Sequence, residues 1–301
     1  MSTSRRSFIQ NSALLLAGTA LLSKTAFAAA KPSEIVGIQL YSVRDDMIKD
    51  PKGTLTQLAK FGYKNVEHAN YIDRKFYGLT PKEFKKVLDD LGLKMPSGHT
   101  VMAKNHWDAD KKDFTDAWKY TVEDAAFMGQ HYVISPWIDE PIRKSYDAMM
   151  QLLDTFNKSG ELCKKSGMKF GYHNHWFEFT DKLNGVNIFD LMMKNMNFDL
   201  VAMQLDMGNM YIGGAKASDI LHQYPGKFEL LHVKDEIAST NAEKFESSVL
   251  GKGIIHAKEA TDLGRKIGGT KVFIIEQEAY QNATPLESVK EDLAIIKQWG
   301  Y

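Results

Sequence analysis

Gly171-Tyr172-His173-Asn174-His175-Trp176-Phe177-Glu178-Phe179 follows a short apolar run that starts at Met168. It sets two histidines two residues apart and a glutamate three residues further on. In a strand, residues i and i+2 share a face, so His173 and His175 point the same way. Three later apolar runs end in a similar manner, at Leu205-Asp206, Leu231-His232 and Ile275-Glu276. Imidazoles and carboxylates delivered by several parallel strand ends form a donor set for a divalent metal ion.

The remaining chain is expected to frame those ends. After Pro32, short apolar runs alternate with amphipathic ones. Strands are predicted over 35–41, 63–68, 94–99, 131–135, from 168 onward, 201–206, 228–233 and 271–276. Helices are predicted over 54–61, 81 to about 92, 113–128, 145–166, 187–195, 217–223, 255–267 and 285–299. Thr80-Pro81-Lys82-Glu83 reads as a capping box with proline at the first helical position, and Gly167 closes the long fourth helix. Strands alternating with helices give a parallel sheet. Eight such units in about 270 residues match a (β/α)₈ TIM barrel. A doubly wound open sheet, the rival layout, ordinarily has a glycine-rich turn after its first strand; here that turn is Ser42-Val43-Arg44-Asp45-Asp46. The expectation is one α/β barrel domain over residues 32–301.

The 301 residues carry 38 Lys+Arg against 38 Asp+Glu, a formal net charge of zero. No basic field is left for nucleic acid, which excludes it as a partner in this reading. Cys163 is the single cysteine, so no intramolecular disulfide can form; it falls in a helical run and reads as a packing residue. Ser4-Arg5-Arg6-Ser7-Phe8-Ile9 resembles a twin-arginine export signal, and Ala26-Phe27-Ala28 supplies a small-x-small cleavage site. The apolar run between them, 13–22, is shorter than the roughly 20 residues a membrane span needs. Residues 1–28 are therefore expected to direct the chain to the periplasm by the twin-arginine route, with an uncleaved anchor as the alternative. No membrane span is expected in the mature chain.

Parity gives a check within each strand. Asp206 shares a face with Gln204 and Ala202, His232 with Leu230 and Lys234, and Glu276 with Val272, Ile274 and Glu278. Phe170, Tyr172, Met203 and Leu205 face the other way, towards helices. The polar set can thus converge at the C-terminal mouth, where barrels of this type keep their chemistry. Asp206, His232 and Glu276 are the expected ligands of one divalent ion, with His173 the preferred fourth and Glu178 in reserve. The mixed N/O set suits Mn²⁺, Co²⁺, Zn²⁺ or Mg²⁺. Glu67, His99, Trp137 and Asn209 are the candidate substrate contacts. Trp137 offers a stacking face, and Glu67, His99 and Trp137 also read as structural caps. Glu276 or His175 is the candidate base, Lys234 the candidate oxyanion stabiliser, and Glu178 would orient a hydroxyl or protonate a leaving group.

Gly37-Ile38-Gln39-Leu40-Tyr41, Tyr172-His173-Asn174-His175, Leu205-Asp206-Met207-Gly208-Asn209, Leu231-His232-Val233-Lys234-Asp235 and Leu250-Gly251-Lys252-Gly253 together carry a family resemblance. The chain resembles the sugar phosphate isomerase/epimerase family, the xylose-isomerase-like TIM barrels. That family's metal site draws Glu, Asp, His and Glu from strands five to eight. Asp206, His232 and Glu276 match the last three, and His173 falls where many members have glutamate. Family epimerases set two metal-bound glutamates on opposite faces of one carbon, and here one face would present an imidazole. The Tyr-His-x-His pattern with the later His-x-Lys-Asp is also similar to inosose dehydratase and to relatives acting on 3-keto-glycosides, which eliminate. The resemblance implies a metal-dependent sugar or keto-sugar isomerase or epimerase working through an enolate. The alternatives are a lyase on 3-keto-glycosides or inosose-like substrates and a non-catalytic periplasmic carbohydrate-binding protein. Gly251-Lys252-Gly253 alone is a weak phosphate-binding pattern, and a homo-oligomer is compatible with the fold.

Overall fold

The computed structural model describes residues 34–301; the export-signal reading of residues 1–28 lies outside the described residues. Eight parallel strands close into a barrel in simple sequential order. They are β1 (Ile35–Gln39), β2 (Asn65–His68), β3 (Lys94–His99), β4 (Tyr132–Ser135), β5 (Lys169–His173), β6 (Val201–Asp206), β7 (Leu230–Val233) and β8 (Val272–Ile275). β8 pairs back onto β1 through Ile35–Val272 and its neighbours. The enclosing helices are α1 (Pro51–Phe61), α2 (Pro81–Asp90), α3 (Asp116–Met128), α4 (Tyr146–Lys165), α5 (Ile188–Asn195), α6 (Ala217–Gln223), α7 (Ala257–Leu263) and α8 (Pro285–Gln298). The alternation in the sequence does give a (β/α)₈ barrel. Thr80 and Thr284 each start a helix with a complete capping box and a following proline, which satisfies amide donors that the first turn leaves open.

Strand parity sorts the core into two layers. Ile134, Ala202, Leu230, Val272 and Ile274 fill the barrel interior, while Phe170, Tyr172, Met203, Leu205 and Phe273 pack outward under the helices. Truncating one such side chain costs about 2–5 kcal/mol, so both faces of every strand are pinned. The strand ends inherit that rigidity.

Some boundaries differ from expectation. α3 begins at Asp116 rather than 113, because Asp113–Phe114 pairs with Trp107–Asp108 in a two-stranded ribbon. The run 255–267 is helical only over Ala257–Leu263, after which Gly264–Gly268 widens into a π turn; two glycines there favour the helix poorly. Three more ribbons lie in loops, among them Tyr71–Ile72 with Lys75–Phe76 and Asp235–Ala238 with Phe245–Ser248. A short helix, Met207–Ile212, follows β6 directly. β2 and β3 shift register between Asn65 and Glu67. Gly98 on β3 makes room there: a Cβ at 98 would lie 1.9 Å from the His68 ring. Among the described residues, no helix is long and apolar enough to cross a membrane.

Candidate metal centre and active-site mouth

β5, β6, β7 and β8 deliver His173, Asp206, His232 and Glu276 to one place, and one donor atom from each lies within 4.8 Å of the others. His173 and Asp206 are the last residues of their strands, His232 is the last but one of β7, and Glu276 follows β8 by one residue. Asp206 explains why an ion fits. Its Oδ1 accepts the Asn209 backbone N–H at 2.6 Å and so caps the short helix. Its Oδ2 is buried without a hydrogen-bond partner, 3.6 Å from His232 Nδ1 and 3.8 Å from His173 Nε2. A buried carboxylate oxygen without a hydrogen bond is costly unless positive charge faces it. Here the Lys234 ammonium stands 3.5 Å away, and a divalent ion among the four donors would complete that compensation.

The charge balance points the same way. Burial opposes ionisation of Asp206 and Glu276, yet Lys234 and His232 outweigh it and bring each down to about 2. Burial likewise opposes protonation of His232, but Glu276 and Glu67 override it and hold the ring well above its ordinary range. His232 Nδ1 lies 2.9 Å from Glu276 Oε2. A metal cation at Nδ1 would replace the proton that those carboxylates demand.

A second layer of polar groups fixes the ring orientations. Gln204 Nε2 donates to Glu67 Oε2 at 2.8 Å. Gln204 Oε1 must therefore accept, from His99 Nε2 at 2.7 Å and from His173 Nδ1 at 3.1 Å. His173 then carries its proton on Nδ1, which leaves the Nε2 lone pair for a metal ion. Glu67 also receives Gln39 Nε2 at 2.8 Å and the Ser97 hydroxyl, and its Oε1 lies 2.7 Å from His232 Nε2. Asn174 clamps β5 to β6, accepting the Asp206 N–H at 2.9 Å and donating to the Asp206 carbonyl at 3.2 Å. Neither Gln204 nor Asn174 stood out in the sequence as a site residue. The only trace was that Gln204 shares the inward face of Asp206.

A cavity of about 930 Å³ opens above this floor. His99, His173, His175, Asn209, Glu276 and Trp137 all line it. His175 stands beyond the end of β5 but still faces the mouth with His173, their rings 5.2 Å apart. Burial lowers the His175 ring to about 4, which leaves it uncharged, and its Nδ1 has no partner. Trp137 lines the cavity, packs T-shaped against the His175 ring and is 40% exposed.

Three expected contacts are corrected by the geometry. Glu67 is fully buried and does not line the cavity; it supports His232 and Gln204 from below. Glu178 belongs to neither cluster of metal donors and does not reach the mouth. The short helix Phe177–Thr180 turns its carboxyl back to the Tyr172 hydroxyl and the His175 N–H, the latter at 2.8 Å. Burial pushes that carboxyl up to about 8. It fixes the His175 backbone and is not a reserve ligand or a substrate acid. Lys234 sits beneath the cavity, 3.5 Å from Asp206 Oδ2, 3.4 Å from Glu276 Oε2 and paired with Glu278. Its charge is shared among these three carboxylates. The amides of Gly251 and Gly253 are committed too, donating to Asp235 Oδ2 at 2.9 and 3.1 Å.

Residues 55–299 match the family model described as the xylose isomerase-like TIM barrel. An inosose dehydratase from Geobacillus kaustophilus is 22% identical over 200 residues, 60% of each chain. The chain spans about three fifths of the length of the curated relatives it matches. A sugar phosphate isomerase/epimerase from Parabacteroides distasonis superposes with a TM-score of 0.75 at 25% identity, covering 91% of this chain and 97% of that one. A crystallised IolI protein with a bound zinc atom has the same fold, with a TM-score of 0.68 at 14% identity over 88% of this chain and 97% of its own.

Proposed function

The chain belongs to the xylose isomerase-like TIM barrel family, and from that premise we propose that it is a divalent-metal-dependent lyase acting on a keto-sugar or keto-glycoside. The observation that carries this reading is the bare Asp206 Oδ2 among four convergent donors, at the floor of a cavity that also presents an uncharged imidazole. A divalent ion there would act as a Lewis acid towards the substrate ketone. His173, Asp206, His232 and Glu276 would hold it.

The chain's own residues supply the proton chemistry. His175 removes the proton from the carbon beside the ketone, and the C–H electron pair moves into the carbonyl as an enolate. The enolate re-forms the ketone and expels the β-oxygen substituent. The departing oxygen takes the proton from the His175 imidazolium and leaves as an alcohol or water. One residue serves as base and then as acid, which suits a site where the position opposite Glu276 is an imidazole whose Nδ1 is bound to Gln204. The inosose dehydratase relatives support elimination. Isomerisation is the second reading, favoured by the Parabacteroides likeness and by Glu276 as another mouth-facing base.

Reaction of metal-loaded protein with keto-sugars in D₂O, followed by NMR, tests this. We expect deuterium on the carbon beside the ketone and an unsaturated product. His175→Asn should lower the rate by about 10²–10⁴ with metal content unchanged. A deuterated, rearranged but saturated sugar would support the isomerase. Ligands recovered unchanged and undeuterated would mean a binding protein.

A further inference from the structure

The cavity extends well past the metal floor. It runs under the ribbon that follows β2 and along α3, where Tyr71, Arg74 and Tyr120 form its outer wall. At about 930 Å³ it lies near the top of the range for ligand sites, roughly 300–1,000 Å³, and one sugar ring at the floor leaves the outer half unfilled. Trp137 faces the inner half.

That outer wall is built. Asp124, on α3 and 4% exposed, accepts the Tyr71 hydroxyl at 2.6 Å, Arg74 Nε at 2.9 Å and Arg74 Nη2 at 2.6 Å. The Arg74 guanidinium lies over the Tyr120 ring, 4.2 Å from its centroid. The turn that presents Arg74 is strained. Asp73 and Arg74 have φ of 49° and 57°, and Tyr77 has 50°. Ribbon turns of this kind ordinarily use Asn-Gly, since a side chain resists that region. Backbone strain of this sort persists where the surroundings hold it and collects at ligand sites.

The wall's charge decides what it suits. Arg74 faces Asp124 and also Glu123, at 3.3 Å, so its charge is answered within the protein. The loop amides of Gly251 and Gly253 are likewise taken by Asp235. A phosphate gains little from groups already paired. What these pairings leave to the cavity is the Tyr71 ring, the Arg74 guanidinium plane held on Tyr120, and Arg74 Nη1, whose hydrogens are not given to Asp124 or Glu123. A flat surface with one neutral-acceptor contact suits the C–H face and a hydroxyl of an uncharged ring.

We propose that Tyr71, Arg74 and Tyr120 form a second subsite that takes the other ring of an unphosphorylated glycoside, so that the substrate spans two rings. This rests on the reading of the metal floor as the reacting site. Binding without turnover tests it. Cellobiose, maltose and trehalose are titrated into the whole protein by ligand-detected NMR, and their forms oxidised to keto-glycosides into the whole His175→Asn protein, where turnover does not compete with binding. Glucose, methyl glucoside, glucose 6-phosphate and keto-glucose serve as single-ring comparators, with metal content measured in the same samples. At least one two-ring ligand should bind about tenfold or more tighter than its single-ring counterpart. Tyr120→Ala should remove about tenfold of that and leave the single-ring ligand unchanged, and Tyr120→Phe should restore it. Equal affinities, tighter binding of the phosphate, no binding of any glycoside, or a Tyr120→Ala loss that falls equally on both ring counts would each overturn the proposal. Metal loss with two-ring preference intact would instead refute the reading of the floor.

Discussion

Two groups of buried carboxylates lie close together at the β7 and β8 end of the barrel, and they behave differently. Asp206 and Glu276 face imidazole nitrogens and the Lys234 ammonium, and Asp206 Oδ2 has these cations 3.5–3.6 Å away without a hydrogen bond to either. Asp235, two residues after β7, accepts four backbone amides, those of Glu236, Gly251, Gly253 and Ile255. Asp292 on α8 accepts the Leu250 N–H at 2.9 Å. The first group is the donor set proposed to hold a divalent cation. The second shapes a loop. Burial is common to both, so burial alone does not mark a metal site; what the carboxylates face does.

The largest test of that contrast is metal binding. Asp206→Ala should abolish divalent-ion binding in calorimetric titration. Gln204→Leu, which frees the His173 tautomer without touching a donor atom, should weaken it by about ten- to a hundredfold. If Gln204→Leu binds metal as wild type does, the ring orientation is set elsewhere and the tautomer argument fails.

The two groups were not equally legible in the sequence. Asp206 and His232 end apolar runs and Glu276 follows one, so period-two parity placed all three on the inward face without a structure. Gln204 was visible as a neighbour on that face, but its role depends on Glu67, 137 residues away, and no local pattern reports such a bond. The place of Glu178 is not legible locally, because the chain leaves β5 at His173 and turns into a four-residue helix that brings the carboxyl back to the Tyr172 hydroxyl and the His175 N–H. The ribbon at Tyr71–Phe76 escaped detection since two-residue strands are too short to show an alternation. The barrel itself rests on eight repeats of one pattern, and an error of a few residues in any one leaves the closure unchanged.

Asp235 gives the second test. Asp235→Ala strands four amides that now donate to it, and at about 1 kcal/mol each the protein should lose about 4 kcal/mol in urea unfolding. Metal affinity should stay within twofold of wild type. A parallel loss of metal would join the two groups into one site and break the contrast.

Asp292 gives the smallest effect and the sharpest separation, because its carboxyl faces the Leu250 amide and none of the metal donors. Burial pushes its carboxyl up to about 7, against an opposing pull from the Leu250 N–H. The folded protein therefore keeps this proton to about pH 7, while the unfolded chain releases it near 4. Its contribution to stability is complete below pH 4 and is lost as the pH rises through 7, the reverse of a carboxylate paired with a cation. Between pH 5.5 and 8 that loss is about 2 kcal/mol. Asp292→Asn keeps the acceptor for Leu250 and cannot ionise, so its stability should vary less with pH across this interval by that amount. Urea melts of both proteins at the two pH values are the measurement. Parallel curves would mean that Asp292 ionises freely in the fold, and that the carboxylates of this loop are less secluded than their hydrogen bonds imply.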